Sequence, residues 1–148
     1  MLRLSKLSDY AVVLLSELGT APEGAVRNAS ALAMATGIAE PTVAKVLKLL
    51  AAGGLVVSQR GPHGGYRLAR PLAETAISDV IDAVEGPIAL AACVEQAGGC
   101  EHECTCRVRG RWDPVNAAIR RALSEITLAD MACPAWAPPP PAVAAGLG

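Results

Sequence analysis

The stretch that most limits the possible folds is residues 28–54, NASALAMATGIAEPTVAKVLKLLAAGG, which has the pattern of two short helices joined by a tight turn. Asn28 can cap the first helix, and Gly37 can take the positive φ that a tight turn needs. Pro41 stands in the first turn of the second helix, whose valines and leucines share one face. The pattern predicts a helix-turn-helix, whose second helix presents its polar face to the major groove of DNA.

A two-stranded hairpin is predicted directly after this pair of helices. LVVSQR and YRLAR have strand composition, and GPHGG between them has turn composition. A hairpin in this position is the wing of a winged helix, and its cationic tips suit phosphates and the minor groove. Taken alone, it would also fit a surface hairpin with solvated arginines. The predicted DNA contacts on the helix and the wing are Thr42, Lys45, Lys48, Arg60, His63 and Arg67.

Helical spacing marks the chain on either side of these elements. Apolar residues between positions 7 and 18 predict a first helix, which Ser5 or Ser8 can cap and Gly19 can end. Leu32 and Met34 are expected to be the buried residues of the short second helix. Apolar residues between positions 77 and 84 predict a further helix that packs under the wing.

A last helix is predicted to begin at Asp113-Pro114, with apolar residues three or four apart from Trp112 to Ile126. Its apolar surface exceeds what one small domain covers, so we expect it to pack against its copy in a homodimer; an ordinary core helix is the alternative. The expected fold is mainly helical with a small β-hairpin. It has a winged helix-turn-helix domain at 1–88, a cysteine-rich loop at 89–108, a long dimerisation helix at 109–131 and a disordered tail at 132–148.

The charge of the chain is divided unevenly. Residues 1–70 hold eight Lys/Arg and four Asp/Glu, a balance of +4, and residues 71–148 hold five and ten, a balance of −5. The basic half suits a polyanionic partner. Charged residues interrupt the apolar run at the N-terminus, which argues against a signal peptide or a membrane span, so we expect a cytoplasmic protein.

Four of the five cysteines lie in the stretch CVEQAGGCEHECTC at 93–106. Disulfides rarely persist in the cytoplasm, the number of cysteines is odd, and a chain of 148 residues with 52% hydrophobic content needs no covalent staple. A structural zinc site usually has CxxC knuckles, which this stretch lacks, whereas widely spaced thiolates can hold an iron–sulfur cluster. From the residues alone, both a cluster and zinc stay open, and Cys133 is expected to be a bystander.

In combination these stretches resemble the Rrf-two (Rrf2) family of winged-helix iron–sulfur transcriptional regulators, which includes IscR-, NsrR- and RirA-like proteins. The resemblance rests on LSKLSDYAV, GIAEPTVAKVLKLLAAGGLV, RGPHGGYRLAR, the spaced cysteines and RWDPVNAAIRRALSEITLADM, and it covers about residues 1–131. The last of these stretches is most similar to the SUF-system assembly regulators.

The resemblance implies an iron–sulfur cluster, 2Fe-2S or 4Fe-4S, with three thiolate ligands: Cys93, Cys100 and Cys106. Some members add a histidine three residues beyond the last cysteine, but Arg109 stands there, and a protonated guanidinium cannot coordinate iron. Others use an acidic residue in the first helix of the other subunit, and Asp9 stands at that place. Cys104, His102 or a small molecule are the alternative fourth ligands. Asp9 also fits as a first-turn acid that favours the helix dipole.

The function that the resemblance implies is a transcriptional repressor of iron–sulfur assembly or iron homeostasis genes. It would bind an inverted-repeat operator as a homodimer and sense iron, oxidant or nitric oxide through its cluster. A zinc- or thiol-dependent winged-helix regulator is the alternative. An enzyme is not expected, because the two histidines lie in polar or glycine-flanked loops, away from any nucleophile-and-base pattern.

Overall fold

The first two helices begin at capping residues that the sequence predicts, and the next two begin without a side-chain cap. The computed structural model describes residues 3–90, 107–108 and 110–134. Ser5 caps α1, and its side chain accepts a hydrogen bond from the backbone N–H of Ser8. Asn28 caps α2 in the same way, through a 2.7 Å bond from the N–H of Ala31. The bounds are α1 Lys6–Gly19, α2 Ala29–Thr36, α3 Glu40–Ala52 and α4 Ile77–Glu85.

Helices α2 and α3 form the predicted helix-turn-helix, and a hairpin follows it. Gly37 ends α2 with a φ of +74°, in the left-handed region that glycine adopts without strain. Strands β1 (Val56–Gln59) and β2 (Gly65–Leu68) pair antiparallel, with Gln59 opposite Gly65 at the turn. This arrangement is a winged helix, so the predicted mainly helical fold with a small β-hairpin is confirmed.

The wing is joined to the chain that precedes α2. The N–H of Arg27 donates to the carbonyl of Tyr66 over 2.9 Å, and the N–H of Tyr66 donates back to the carbonyl of Arg27 over 2.8 Å. The side chain of Arg27 also pairs with Glu17 of α1, with 2.5 Å between Nη1 and Oε1. Arg27, just before the cap of α2, thus acts as a third, one-residue strand beside β2.

One hydrophobic core lies between α1, α2, α3 and α4. A short 3₁₀ helix (Leu72–Glu74) leads into α4. The C-terminal part of the chain adds one fully buried leucine to this core. The large side chains without exposed surface are Leu14, Leu15, Leu32, Val43, Val46, Leu47, Leu50, Val80 and Leu128.

Met34 differs from the expectation that it is buried. Its exposed fraction is 85%, and Leu32 is the buried residue of α2. Residues two apart on a helix point to opposite sides, so a helix of eight residues that buries Leu32 must expose Met34.

The structure also differs from the single long helix expected over 109–131. Helix α5 (Asp113–Ser124) has 12 residues, and α6 (Leu128–Ala132) is a separate helix of five. Thr127 starts α6 with a capping box in which it and Asp130 bond each other's backbone. Residues 126–128 meanwhile bond residues 75–77, through the Ile77 N–H to the Ile126 carbonyl and the Leu128 N–H to the Thr75 carbonyl, both 2.9 Å. These backbone groups are therefore not available for the hydrogen bonds of a continuous helix.

Candidate functional site

The recognition helix α3 buries one side and presents a cationic side. Val43, Val46, Leu47 and Leu50 are its buried residues. Lys45 and Lys48 are exposed and Thr42 is half-buried. Because residues three apart are neighbours on a helix surface, these three predicted contacts form a row along the outer side of α3.

The wing places two more predicted contacts in its turn. Arg60 and His63 are exposed in the segment that joins β1 to β2. Arg67 is half-buried on β2, opposite Val57. It lines a cleft against residues 21–25, which precede α2. The structure thus presents Lys45, Lys48, Arg60 and His63 to solvent, and it covers Thr42 and Arg67 in part.

Two glycines make the tight return of the wing possible. A Cβ on Gly64 would lie 2.4 Å from the carbonyl oxygen of Gln59, and a Cβ on Gly65 would lie 2.5 Å from that of Arg27. Both distances are too short for nonbonded contact, and both neighbours are backbone atoms. The GG pair in RGPHGGYRLAR is therefore required by the close approach of three backbone segments.

The candidate metal ligands fall into two groups. Cys93, Cys100, Cys104, Cys106 and His102 lie outside the described residues. Asp9 is described: it is exposed in the first turn of α1 and pairs with no cation among residues 3–90 and 110–134. Within those parts of the chain no three His, Cys, Asp or Glu side chains converge as a metal site.

Glu85 joins the end of α4 to the start of α1 through Ser5 and Ser8. Ser8 is the neighbour of Asp9 in the sequence. Its Oε1 accepts hydrogen bonds from the hydroxyl of Ser8 and, over 2.9 Å, from the N–H of Ser5. The Ser8 bond is the main reason that the pKa of the Glu85 carboxyl lies below its usual value; the Ser5 bonds act in the same direction, and desolvation opposes them. This contact places the first turn of α1 beside the end of α4.

A buried amide holds the chain just before the cysteines. Asn116 of α5 is 6% exposed, and it bonds the Ile88 carbonyl at 3.0 Å and the Leu90 N–H at 3.2 Å. The sequence reasoning above missed this residue. The available signal was one polar residue at the inner position between Val115 and Ile119 of an otherwise apolar face.

The family model Rrf2, described as "Iron-dependent Transcriptional regulator", matches residues 4–134. The chain belongs to the Rrf2 family. An HTH-type transcriptional regulator of Mycobacterium tuberculosis is 36% identical to it over 131 residues, which cover 88% of this chain and 81% of that protein. The Rrf2 family match and this relative confirm a transcriptional regulator and not an enzyme.

Solved structures of regulators share the fold of this Rrf2-family chain. CymR of B. subtilis, named a global cysteine regulator, superposes with a TM-score of 0.66 and 26% identity, covering 89% of this chain and 97% of its own. IscR of T. potens superposes with a TM-score of 0.59 and 28% identity, covering 88% and 85%. The winged helix is therefore the DNA-binding part of an Rrf2-family regulator. Among the described residues, no helix is both long and apolar enough to cross a membrane.

Proposed function

We propose that this chain is a cytoplasmic, homodimeric repressor that binds an inverted-repeat operator and controls iron–sulfur assembly or iron homeostasis genes. The observation that carries the proposal is the position of the cysteine segment. Residues 91–106 follow α4, which packs on recognition helix α3, and they precede α5, whose Asn116 holds residues 88–90 just before the segment. A group bound by those cysteines would therefore act directly on the frame of the DNA-binding unit.

The proposed bound group is an iron–sulfur cluster, 2Fe-2S or 4Fe-4S. Its protein ligands would be Cys93, Cys100 and Cys106, since cysteine thiolate is the usual ligand of such clusters. The description of the Rrf2 family as iron-dependent supports this choice. When bound, the cluster supplies a redox- and ligand-sensitive iron site.

The proposed fourth ligand is Asp9 from the other subunit, with Cys104 and His102 as alternatives. Asp9 suits this role because its carboxylate is exposed and has no cationic partner in the described part of its own chain. A carboxylate is a replaceable ligand beside three thiolates, so an oxidant or nitric oxide would find one iron more accessible than the others. Such a site would suit sensing of iron, oxidant or nitric oxide status.

The DNA contacts are proposed to be divided between α3 and the wing. Thr42, Lys45 and Lys48 would face the major groove and its phosphates, and the wing would reach the adjacent minor groove through its turn and β2 with Arg60, His63 and Arg67. A dimer would present two such units to the two halves of an inverted repeat. Loss of the cluster would then change their spacing and lower operator affinity.

A second candidate function is a regulator that senses thiol chemistry or zinc without a cluster. The observation in its favour is the likeness to CymR, a structure named for a cysteine regulator. The two candidates share the DNA-binding half and differ only in the chemistry at residues 93–106.

Anaerobic purification of the full chain, followed by iron, sulfide and zinc assays and a visible absorption spectrum, tests the cluster. A brown protein with iron and acid-labile sulfide is expected. A colourless protein with one tightly bound zinc and no sulfide would support the zinc candidate and contradict the cluster; a colourless, metal-free protein would leave the thiol candidate.

The sensing step is tested with DNA. A duplex is first selected from a random-sequence library by the wild-type protein, and its Kd is then measured for the cluster-loaded and the stripped protein. Loading is expected to tighten binding by a factor within the ~5–150-fold range of ordinary allosteric coupling. Equal affinities in the two states would contradict the sensing mechanism even if the cluster binds.

A further inference from the structure

Asn116 fixes the direction of the chain where it enters the cysteine segment. Its side-chain amide donates to the carbonyl of Ile88 over 3.0 Å, and its side-chain oxygen accepts from the N–H of Leu90 over 3.2 Å. An amide that bonds one C=O and one N–H of the same short segment determines both its distance and its orientation. An apolar residue at position 116 would determine neither, and it would leave these part-buried backbone groups unpaired.

A second, weaker contact joins the same segment to α4. Oδ1 of Asp82 accepts from the N–H of Ile88 over 3.2 Å, while Oδ2 pairs with Arg120 of α5 over 3.1 Å. The two charged side chains are 32% and 42% exposed, so solvent screens their attraction. The segment at 88–90 is thus held by α5 through Asn116 and by α4 through Asp82.

Helix α4 contacts the end of recognition helix α3 at Ala83, the residue after Asp82. A Cβ built on Gly53, which caps the end of α3, would lie 2.5 Å from the Cβ of Ala83 and 3.3 Å from its Cα. There is no free space at this contact, so a movement of α4 near Ala83 must move the end of α3 or open the core.

We propose that Asn116 is the positioning residue through which a change in the cysteine segment reaches recognition helix α3. A shift of residues 88–90 reaches α5 through Asn116 and α4 through Asp82. The Arg120–Asp82 pair joins α5 to α4, and the contact of Ala83 with Gly53 joins α4 to α3. This inference rests on the proposed function, because it requires a DNA affinity that depends on the state of the segment. Asn116 contributes to that dependence only if its hydrogen bonds differ between the two states.

The test compares operator affinity in two states for two variants. Asn116→Ala removes both hydrogen bonds. Asn116→Asp keeps the size and the acceptor, but an ionised carboxylate cannot donate to the Ile88 carbonyl. Arg121→Ala, at an exposed position of the same helix, is the matched control. For each protein, the Kd for the selected duplex is measured cluster-loaded and stripped, beside cluster content and the Tm.

The ratio of the two Kd values separates positioning from a purely structural role. The ratio is expected to fall at least about twofold in Asn116→Ala, which leaves only the Asp82 contact, and to fall less in Asn116→Asp, which keeps the Leu90 bond; the wild type and Arg121→Ala keep a ratio of ~5–150-fold, with cluster content retained. A merely structural residue would weaken both states by the same factor and leave the ratio unchanged. An unchanged ratio in Asn116→Ala overturns the inference.

A measurement on the wild type covers the case in which neither variant folds. Hydrogen exchange of the Leu90 amide, whose N–H bonds Asn116, is compared between the loaded and the stripped protein. We expect its rate to change at least about tenfold more between the two states than the rate of the Leu15 amide in the core of α1, which reports the change in global stability. Equal exchange at Leu90 in the two states overturns the inference.

Failure of the inference is distinguishable from failure of the proposed function. If cluster loading changes the operator Kd by the same factor in the wild type and in Asn116→Ala, only the role of Asn116 is overturned. If the wild type carries no cluster, the cluster proposal fails, and the same Kd ratio is measured between thiol-reduced and thiol-oxidised protein. A wild type with equal affinity in both comparisons overturns both.

Discussion

At the scale of single residues, the wing requires two positions without a Cβ atom. Gly64 and Gly65 leave room for three backbone segments to meet, and the nearest atoms to an added Cβ are carbonyl groups that cannot turn aside. The glycine-rich composition of GPHGG was enough to predict a turn. The requirement for glycine at position 65 could not be predicted, because its neighbour Arg27 is remote in the sequence.

Gly65→Ala is therefore expected to destabilise the protein by more than about 2 kcal/mol, because its Cβ would lie 2.5 Å from the carbonyl oxygen of Arg27. Gly24→Ala is the matched control: Gly24 has a φ of +78° but nothing within 4 Å of an added Cβ, so its cost is expected to be about 1 kcal/mol. Urea unfolding monitored by circular dichroism measures both. Equal losses of unfolding free energy in the two variants would show that the backbone of Arg27 does not pack tightly against Gly65.

Glu85 gives a pH-dependent contribution to stability. The hydroxyl of Ser8 and the N–H of Ser5 bond its carboxylate, so its pKa in the folded protein lies below that in the unfolded chain. A lowered folded pKa gives stability that is present above the unfolded pKa, about 4.3, and lost as the pH falls through the folded pKa. The stabilising effect of ionised Glu85 should therefore be present at neutral pH and absent in acid.

Glu85→Gln tests this, because glutamine offers an acceptor of the same shape that does not titrate. The difference in unfolding free energy between wild type and Glu85→Gln is expected to favour the wild type at pH 7 and to shrink below about pH 4. Denaturant titrations between pH 3 and 7 measure it, with Glu74→Gln on the 3₁₀ helix as a control for net charge. A difference independent of pH would exclude a role for the ionised carboxylate.

At the scale of elements, the part of the fold that sequence reasoning predicted best is the first 90 residues. Caps, turn glycines and apolar spacing agree there except at Met34, because α1, α3 and α4 each bury a face that their own periodicity marks. The split between α5 and α6 was missed although TLAD at 127–130 is the signature of a capping box, which the structure contains. A continuous apolar spacing through Ile126 hid the signal, since periodicity alone does not tell which backbone groups bond elsewhere.

Helix α6 is expected to be anchored through a single side chain. Leu128 has no exposed surface and belongs to the core, whereas Met131 in the same helix is 48% exposed. Leu128→Ala is expected to cost ~2–5 kcal/mol, as for other buried leucines. Met131→Ala, the control, is expected to change the unfolding free energy by less than about 0.5 kcal/mol. Similar costs in thermal and urea unfolding would place the anchor elsewhere.

Helix α3 is expected to bind DNA partly through phosphate contacts. If Lys45 neutralises one phosphate, Lys45→Ala should weaken binding and reduce the slope of log K against log salt by ~0.9 per subunit contact. Lys6→Ala, an exposed lysine at the start of α1, is the control of equal charge. Binding isotherms between low and moderate salt measure the slope. An unchanged slope for Lys45→Ala would remove this residue from the interface.

At the scale of the whole molecule, the chain combines a basic N-terminal half with a C-terminal half that holds four of the five cysteines in one segment. The charge division indicated the DNA partner, and the spacing of the thiols left cluster and zinc open. Sequence reasoning could not decide between them, since the identity of a bound group depends on ligand geometry, which the spacing of the thiols does not determine. The description of the matching Rrf2 family as iron-dependent supports the cluster proposal.

Replacement of Cys93, Cys100 and Cys106 together by Ser is expected to abolish visible absorption and to make operator affinity the same in all redox states. The physical reason is that serine hydroxyls are poor ligands for iron–sulfur clusters. Cys133→Ser, which changes an exposed thiol just beyond α6, is the control. It should keep the visible absorption and the dependence of operator affinity on redox state. If the triple variant still responds to oxidant, sensing resides outside these three residues.

The bridge between Arg27 and Tyr66 closes the chain between these two residues into a ring through two backbone hydrogen bonds. Recognition helix and wing lie on the same ring, so a rotation of one is coupled to the other through the backbone. A signal that enters through α4 would then displace the reading surface as a single body. Selectivity for a half-site would stay constant through the switch, and only the separation between two half-sites that a dimer tolerates would change.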